Sequence, residues 1–521
     1  MTDKNNNYNH MKKHILFVCI LFNSLFIFSQ ENTKIPKKKT QKSFFVVDFL
    51  SVDMPTNDLG KDEDHMGLIG GHYNLNFGRL YTGIGMYGTV RGKRGGFFTL
   101  GVNAGFKSYL SESLYIDTGV HFGGGGGAGA PDGGGAFILP HLNLGYQFNK
   151  FSLTGGYSYI NFFDAGNIKS HQLNVALQLP LNLSYSNIKN EEKQFDVESL
   201  KSSDWNNKSK KTSFMLHLNN LSVKGGSRDT NGVPLSGRTI RLAGFELNSY
   251  FDDNWFFFAK FDGAYDGIPA GYMDIFLGGG YHLTFNKNRT NILAKFGVGA
   301  GGGGGVDSQG GILIYPDISL EQHISNNVYL SINKGLLMSP NSFFESSTFG
   351  VGLKYYANIN GTKGDHLTTA KFKGFEAIIK QDIYHNAERQ LNPTEDLYQI
   401  SLQLNYHLNK NVYIAGQTSF ANFGNAGAYA EGIVGMGLQT NYFIRDKINF
   451  FVQGLIGGAG GGQISTGEGL IIKPSFGMNY KMNSSFAFRG ALGYVTSKGG
   501  SLSSPFLNFG ISYQLSFLNS K

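Results

Sequence analysis

Residues 97–110 read FFTLGVNAGFKSYL, and the alternation within this stretch decides the fold. Between positions 98 and 107 the even positions, such as Phe98 and Leu100, are apolar, and the odd positions, such as Thr99 and Asn103, are polar or small. Side chains of a strand point alternately to its two faces. This period of two therefore predicts a β-strand with one apolar and one polar face.

The same alternation continues along most of the chain after residue 42, for example at 273–285 and 434–442. The predicted strands are about 10 to 14 residues long. Strands of soluble proteins average about 5 to 6 residues, and strands that cross a membrane need about 9 to 11. A soluble, secreted β-protein would also alternate, but strands of this length favour a transmembrane β-barrel.

The connections between the predicted strands alternate in length. Long or polar loops at 53–67, 91–95 and 161–170 alternate with tight turns at 78–79, 111–112 and 149–150. Long loops at one end of a barrel and short turns at the other are typical of outer-membrane barrels.

A glycine-rich hairpin occurs three times, at 122–140, 297–316 and 454–474. Each copy has a run of glycines, a polar turn and the spacing Gly-x4-Pro, so the sequence predicts one structural unit written three times. No helix is predicted after the glycines, which argues against a phosphate-binding loop. The glycines can allow bending and close backbone approach. Alternatively, they form an external surface or gate for a partner, with tips at Gly123, Gly135, Gly301, Gly311, Gly460 and Gly469.

The predicted fold is all-β: a transmembrane antiparallel β-barrel built from three homologous eight-stranded repeats. The strands could form one barrel of about 24 strands or three tandem eight-stranded barrels, and the sequence slightly favours the single large barrel. The predicted boundaries are a signal peptide at 1–29, a basic tether at 30–42, β repeats at 43–183, 213–357 and 370–521, and linkers at 184–212 and 358–369.

The composition limits the function. Only 16% of the residues are charged, against about 25% in soluble globular proteins. The apolar run 15–28 behind Lys12 and Lys13 predicts a cleaved secretory signal peptide. Cys19, the only cysteine, lies within it, so the mature chain is expected to lack disulfides and cysteine ligands. The net charge of +8 owes much to the tether, which favours a solvated linker and argues against a nucleic-acid partner.

Polar residues at inward positions predict a network in the barrel interior, whose candidate members are Asp117, His121, His141, Asp317, Glu321, His323 and Lys481. A catalytic or metal-binding role is considered for the first three, but the other repeats do not preserve them. Neither cofactor nor metal is expected. Ser170 and His171 at a rim suggest a lipid-modifying enzyme as a minor alternative to a non-enzymatic protein.

The last strand reads NFGISYQLSF at 508–517. It resembles the terminal signal by which the barrel-assembly machinery recognises outer-membrane β-barrel proteins of Gram-negative bacteria. The resemblance is to this class and to no particular family. It implies a location in the outer membrane, with membrane lipids, the assembly machinery and envelope proteins as partners.

Two functions are compatible with this sequence. The first is a porin-like passive pore, or a channel component of an envelope transport complex. The alternative is a non-conducting structural or adhesive barrel that presents its Gly-rich hairpins and loops to partners. The short tether leaves no room for a plug domain of the kind found in energised transporters.

Overall fold

The computed structural model describes residues 34–56, 62–364 and 367–521. Residues 37–521 form one compact unit, which contains all the strands. The predicted signal peptide lies outside the described residues. Apart from two short 3-10 turns at Ile188–Asn190 and Glu198–Leu200, the secondary structure of the described ranges is antiparallel β-sheet. In these ranges no helix has the length and hydropathy needed to cross a membrane.

The first strands close on themselves. β1 pairs with β2 on one side and with β8 on the other, from Lys39↔Tyr185 to Leu50↔Asn174, so the sheet is a closed barrel, here named ring 1. Its strands are β1 (Lys39–Val52), β2 (Met66–Phe77), β3 (Leu80–Arg91), β4 (Phe98–Tyr109), β5 (Leu114–Gly126), β6 (Phe137–Gln147), β7 (Ser152–Phe162) and β8 (Lys169–Tyr185).

After a short strand, β9 (Gln194–Asp196), a second group of strands forms ring 2. Its first and last strands, β10 and β17, pair from Lys210↔Ile359 to Lys224↔Glu345. Its strands are β10 (Lys210–Lys224), β11 (Thr239–Tyr250), β12 (Trp255–Asp266), β13 (Met273–Phe285), β14 (Thr290–Gly302), β15 (Ile312–Ser325), β16 (Val328–Met338) and β17 (Glu345–Ile359).

The remaining strands form ring 3, in which β18 pairs with β25 from Ala370↔Ser520 to Tyr384↔Phe506. Its strands are β18 (Thr369–Ala387), β19 (Glu395–Asn409), β20 (Val412–Phe423), β21 (Ala430–Gln439), β22 (Ile448–Gly460), β23 (Leu470–Lys481), β24 (Phe486–Ser497) and β25 (Ser503–Ser520). A two-residue pairing of β17 with β25 at Asn358↔Ser520 and Ile359↔Asn519 joins the sheets of rings 2 and 3.

A single wall of about 24 strands, which the sequence slightly favoured, is wrong. In one large barrel β1 would pair with β25, but it pairs with β8. The small diameter depends on inward glycines that leave room for aromatic rings of the neighbouring strand. A methyl group added to Gly105, Gly280 or Gly437, each on the fourth strand of its ring, would overlap an aromatic side chain of the third strand: Tyr81, Phe256 and Tyr413, respectively.

The loop lengths sort as expected in rings 1 and 2. Loops such as 127–136 and 303–311 lie at one end of each ring, the long-loop end, and turns such as 78–79 and 326–327 lie at the other, the short-turn end. Ring 3 has the same two ends, but its turn 440–447 at the short-turn end is eight residues long. β1 begins at Lys39, within the predicted tether, because residues 39–42 pair with the end of β8.

The predicted linker 184–212 is more structured than expected. Its described structure includes β9, which adds to the edge of β18 through Ala370↔Phe195. Trp205 is fully buried, and its ring packs against that of Phe372 at 5.2 Å. The linker between rings 1 and 2 therefore folds onto ring 3, at the short-turn end.

Candidate functional site

The interior of ring 1 holds two hydrogen-bonded clusters. In the first, nearer the short-turn end, Tyr81 donates from its hydroxyl to Asp117 Oδ1 at 2.8 Å and lies 3.2 Å from His141 Nε2. Gln178 Nε2 donates to the other carboxylate oxygen of Asp117 at 2.9 Å. The predicted pair of Asp117 and His141 is therefore brought together, 3.6 Å apart and bridged by a tyrosine that sequence reasoning missed.

His121 belongs to the second cluster of ring 1. Its Nδ1 lies 2.5 Å from Asn103 Oδ1, and its ring lies edge-on to that of His72 at 5.1 Å. His72 Nε2 is 3.2 Å from Asp48 Oδ1, and Tyr87 donates its hydroxyl hydrogen to Asp48 Oδ2 at 2.7 Å. The cavity between these clusters measures about 50 Å³, which is room for one or two water molecules.

In ring 2 the interior is a chain of alternating charges. Lys295 Nζ lies between Glu246 at 2.7 Å and Asp317 at 3.0 Å. Lys354 Nζ lies between Glu321 at 2.8 Å and the same Glu246 at 3.6 Å. All five side chains are buried, and each ammonium group faces two carboxylates. Two ammonium groups therefore lie among three carboxylates in one buried ion network, in which the cations share Glu246.

A second charged group in ring 2 lies closer to the long-loop end. Asp262 contacts His217 Nε2 at 2.5 Å and also the ammonium group of Lys260. Lys260 is 3.9 Å from Asp274, which is completely buried. These residues occupy the space that a lumen would need.

Ring 3 repeats the principle with different residues. Lys473 Nζ lies 3.3 Å from both Asp382 and Glu431. Arg489 donates to Gln453 Oε1 at 3.0 Å and to Asn479 Oδ1 at 3.2 Å. Polar side chains therefore fill the interior of this ring too.

The short-turn end of ring 3 is closed by the linker. Glu191, beside the 3-10 turn Ile188–Asn190, places Oε1 2.8 Å from His407 Nδ1. On its other side His407 Nε2 lies 3.9 Å from Glu376 Oε2. The backbone N–H of Glu192 donates to the carbonyl of Phe372 at 2.8 Å, which holds this segment in place.

The other predicted site residues lie at ring ends. His323 and Lys481 are partly exposed at the short-turn end. His323 Nε2 contacts the carbonyl of Asn326 at 2.5 Å, and Lys481 Nζ lies over the ring of Tyr442 at 3.6 Å. The candidate residues therefore lie in three separate interiors and do not share one lumen. Ser170 is buried and His171 is exposed on the opposite face of β8, so the two cannot act as a catalytic pair.

Sequence reasoning missed most charged residues of the networks, among them Asp48, His72, Glu246, Lys260, Asp262, Lys295, Lys354, Asp382, Glu431 and Lys473. The sequence feature that could have identified these residues is their inward position in the period-two alternation of the strands. Among the described residues, no group of three or more His, Cys, Asp or Glu is arranged to hold a metal ion. The interiors are packed with ion pairs and hydrogen bonds, which is an arrangement that stabilises a ring.

The six predicted glycine tips are all buried. Gly123 and Gly301 face the strands of their own ring, whereas the other four lie against a neighbouring ring. Gly135 touches the backbone of Ala421 and Gly427 in ring 3, and Gly311 touches Thr89 and Gly95 in ring 1. Gly460 and Gly469 touch Ala270 in ring 2.

These contacts form a cycle. The hairpin between the fifth and sixth strands of each ring packs on the end of the third strand and the loop that follows it in the next ring. Backbone hydrogen bonds support two of the contacts: Gly427 N donates to Gly133 O at 3.1 Å, and Gly95 N donates to Gln309 O at 2.7 Å. Glycine is needed because a side chain would separate the two backbones.

Where the rings meet, an apolar cluster fills the space between them. Phe98 and Leu100 of ring 1, Ala300 of ring 2 and Phe420 of ring 3 are all buried in it. The three rings therefore share an apolar contact toward the long-loop end. The hairpins that sequence analysis considered as a partner-binding surface instead hold the rings together.

No protein-family model matches the sequence, and no curated protein matches it. Similar solved structures are Gram-negative outer-membrane β-barrel proteins. They include OpdQ of Pseudomonas aeruginosa (7% identity, 92% of this chain, 98% of that chain, TM-score 0.21). OccAB2 of Acinetobacter baumannii shows 10% identity, the same two coverages and a TM-score of 0.21. The siderophore receptor PirA of Acinetobacter baumannii shows 8% identity, covers 92% and 81%, and has a TM-score of 0.27. The shared character is an antiparallel β-barrel, which the strand pairings of this chain establish on their own.

Proposed function

We propose that this protein is a non-conducting scaffold of the outer membrane, in which three small barrels are joined into one rigid integral membrane unit. The observation that carries this proposal is that buried polar side chains, held in hydrogen bonds and ion pairs, fill the interior of every ring. An eight-stranded barrel is just wide enough for its interior side chains to fill it.

The membrane location is supported by the outward faces of the strands. They expose large apolar side chains over long stretches, for example Leu173 (79% exposed), Phe257 (65%) and Leu492 (66%) in the three rings. Soluble monomers rarely expose contiguous apolar surfaces of this extent. A closed sheet also pairs its backbone groups around the ring, which is required within lipid. The expected signal peptide and the terminal strand fit export and assembly in the outer membrane.

Lack of conduction follows from the energetics of the interior. Opening a path past Lys295 would separate it from Glu246 and Asp317 and leave buried charges unpaired, which costs about 3 to 5 kcal/mol for one broken pair. The passive pore expected from the sequence needs a wide water-filled lumen. The packing therefore favours the structural alternative.

We also propose that the three rings derive from one repeated unit. The Gly-rich hairpin occurs once in each ring, and the glycine of the fourth strand accommodates an aromatic residue of the third strand in all three. The cyclic contacts between the rings use equivalent elements. If three copies are fused in one chain, their threefold arrangement forms within that chain. Three separate chains would have to associate in the membrane to reach it.

The proposal is tested by recording the refolded chain, residues 30–521, in a planar lipid bilayer. Insertion is verified separately in liposomes, by protection from protease and by heat-dependent migration in gels. We expect an inserted protein without stable current steps. Steps of nanosiemens size from an inserted protein would contradict a non-conducting scaffold and support the porin-like alternative. Failure to insert would contradict the membrane location.

A further inference from the structure

Ring 3 carries an apolar groove on its outer face. The groove has a volume of about 630 Å³ and crosses β21 to β24. Its walls are outward side chains such as Met436, Phe476 and Leu492, each more than half exposed, and part of its floor is Gly454. An added Cβ on Gly454 would meet no atom within 4 Å, so the depression exists because side chains are missing there.

The groove continues into an apolar path toward the short-turn end. Along this path the ring of Phe476 stacks on Phe450 at 5.8 Å, and Phe450 contacts Phe443 at 5.4 Å. Phe443 and Ile444 lie in the turn 440–447, and both are exposed. From Pro474 to Tyr480 the strand β23 covers about 20 Å, which at the ~40° tilt of barrel strands corresponds to the ~15 Å depth of one leaflet of a bilayer.

Cations collect where this path ends. The same turn carries Arg445 and Lys447, both exposed, and Lys447 Nζ lies 5.7 Å from the centre of the Tyr480 ring. Lys410 in the neighbouring turn 410–411 is exposed as well. Asp446 is the one carboxylate in the three turns at this end of ring 3, 410–411, 440–447 and 482–485. The end of the groove is therefore basic.

The backbone of the turn 440–447 is strained in a way that ring 2 avoids. Ile444, Arg445 and Asp446 have φ values of 48°, 58° and 57°, in the left-handed region. The equivalent turn of ring 2 uses Asn286, Lys287 and Asn288 with φ of 51°, 55° and 63°. Asparagine tolerates this region, whereas a β-branched residue there is an outlier. An exposed isoleucine in this position costs stability, which makes this turn a candidate for a contact outside the ring.

We infer that the groove and the basic turn together form a binding site for one anionic phospholipid. One acyl chain lies in the groove between Met436 and Leu492, and the phosphate of the headgroup contacts Arg445 and Lys447. Phe443 and Ile444 insert at the level of the headgroup. Basic residues next to a membrane surface attract anionic lipids, which matches the charge of this end. The inference rests on the proposed membrane location but not on the absence of conduction.

The test uses the full refolded chain in a neutral detergent and native mass spectrometry. The chain is offered phosphatidylglycerol, phosphatidylcholine with the same acyl chains, or glycerol phosphate alone. We expect one phosphatidylglycerol to be retained at least several-fold more than phosphatidylcholine, and glycerol phosphate not to bind. Equal retention of both lipids, or tight binding of glycerol phosphate, would overturn the site as described.

Three variants separate the parts of the site. Gly454→Leu should fill the groove and reduce retention of both lipids, whereas Gly155→Leu, on an open outward position of ring 1, should not. The double variant Arg445→Gln/Lys447→Gln should abolish the preference for phosphatidylglycerol. A matched double variant, Arg79→Gln/Lys150→Gln at the same end of ring 1, should retain it. Unchanged lipid binding in Gly454→Leu would overturn the groove as the site.

Ile444→Asn distinguishes binding from a structural role. We expect this variant to unfold at a higher urea concentration, because asparagine relieves the backbone strain, and yet to retain less phosphatidylglycerol. A variant that is less stable and binds lipid normally would contradict the inference. A polypeptide that copurifies in place of lipid, and is lost in Gly454→Leu, would identify the groove as a protein interface instead. If the wild-type chain does not insert into liposomes, the proposed membrane location is contradicted. The insertion assay therefore distinguishes that outcome from a failure of the lipid site.

Discussion

At the scale of single residues, the interiors show why buried charge does not imply a channel. Lys295 is nearly inaccessible, yet it is flanked by Glu246 and Asp317 and so keeps its charge compensated. Such a network is sensitive to the loss of one member, because the remaining charges stay buried. Replacing the whole network by apolar groups is far less costly than breaking it.

We therefore expect Lys295→Met to lower the free energy of unfolding by about 3 to 5 kcal/mol. The measurement is urea unfolding in detergent micelles. Lys334→Met, at an exposed outward position of the same ring, is the control and should not lower stability, because a lipid-facing position favours an apolar side chain over a charged one. Adding Glu246→Gln and Asp317→Asn to Lys295→Met should recover most of the loss. If Lys295→Met and Lys334→Met have equal effects, the network does not stabilise the ring.

A second residue-scale prediction concerns the narrow diameter of the rings. Gly437→Ala places a methyl group against the ring of Tyr413, and such overpacking costs about 1 to 3 kcal/mol. Gly416→Ala, on the neighbouring strand, meets no atom within 4 Å and should be neutral or slightly stabilising. Thermal unfolding compares the two variants. Combining Gly437→Ala with Tyr413→Leu should recover part of the loss, and a failure to do so would place the conflict elsewhere.

At the scale of elements, the sequence identified the faces of the strands but could not identify their partners. Period-two alternation distinguishes inward Asn103 from outward Val102, and the structure confirms both. Which inward residues meet depends on ring diameter and register. Tyr81 reaches Asp117 from two strands away, and nothing in the local pattern indicates it.

The Gly-rich hairpins illustrate the same limit. Their three copies and their position at strand ends can be read from the sequence. Their burial against another ring cannot be read, because the glycines of Gly133–Gly135 would look the same beside solvent or beside Gly427. The closed pairing of β1 with β8 was one of the two alternatives that the sequence left open, since a 24-stranded wall has the same alternation.

The hairpin between β5 and β6 contains a carboxyl group with an unusual pKa. Burial raises the pKa of Asp132 to about 7, although the N–H of Gly127 donates to its Oδ2 at 2.8 Å and Arg94 acts in the opposite direction to burial. The side chain lies beside Gly427 of ring 3. A carboxyl group with a raised pKa in the folded state stabilises the fold below its unfolded pKa of about 4, and this contribution is lost as the pH rises through about 7.

We accordingly expect the wild-type chain to become less stable between pH 5 and pH 8 by a few kcal/mol, because each tenfold difference in proton affinity between the folded and unfolded chain corresponds to about 1.4 kcal/mol. Asp132→Asn should remove most of this dependence, because the amide stays neutral. Unfolding midpoints in urea at both pH values provide the measurement. Glu468→Gln, at an exposed position in the corresponding hairpin of ring 3, should leave the slope unchanged. An unaltered slope in Asp132→Asn would assign the pH dependence to other groups.

At the scale of the whole molecule, three kinds of contact hold the structure together. Each ring closes its own sheet, the Gly-rich hairpins join neighbouring rings in a cycle, and the linker carries Glu191 into the end of ring 3. The linker connects rings 1 and 2 in sequence but docks on ring 3, so each ring is linked to both others by chain or by contact. A scaffold of this kind resists separation of its parts more than three independent barrels would.

This coupling predicts cooperative unfolding. Residues 37–521 should unfold in a single transition, because the loss of one ring exposes the glycine backbones of two others. Gly427→Val places a larger side chain against the backbone at Gly133 and Gly135, and it should weaken the contact between rings 1 and 3. We expect its calorimetric transition to split or to broaden. Gly432→Val, in the same ring at an open outward position, is the matched control and should keep one transition. If Gly427→Val also unfolds in one step at the wild-type temperature, the hairpin contacts do not couple the rings, and the stability of each ring must come from its own interior.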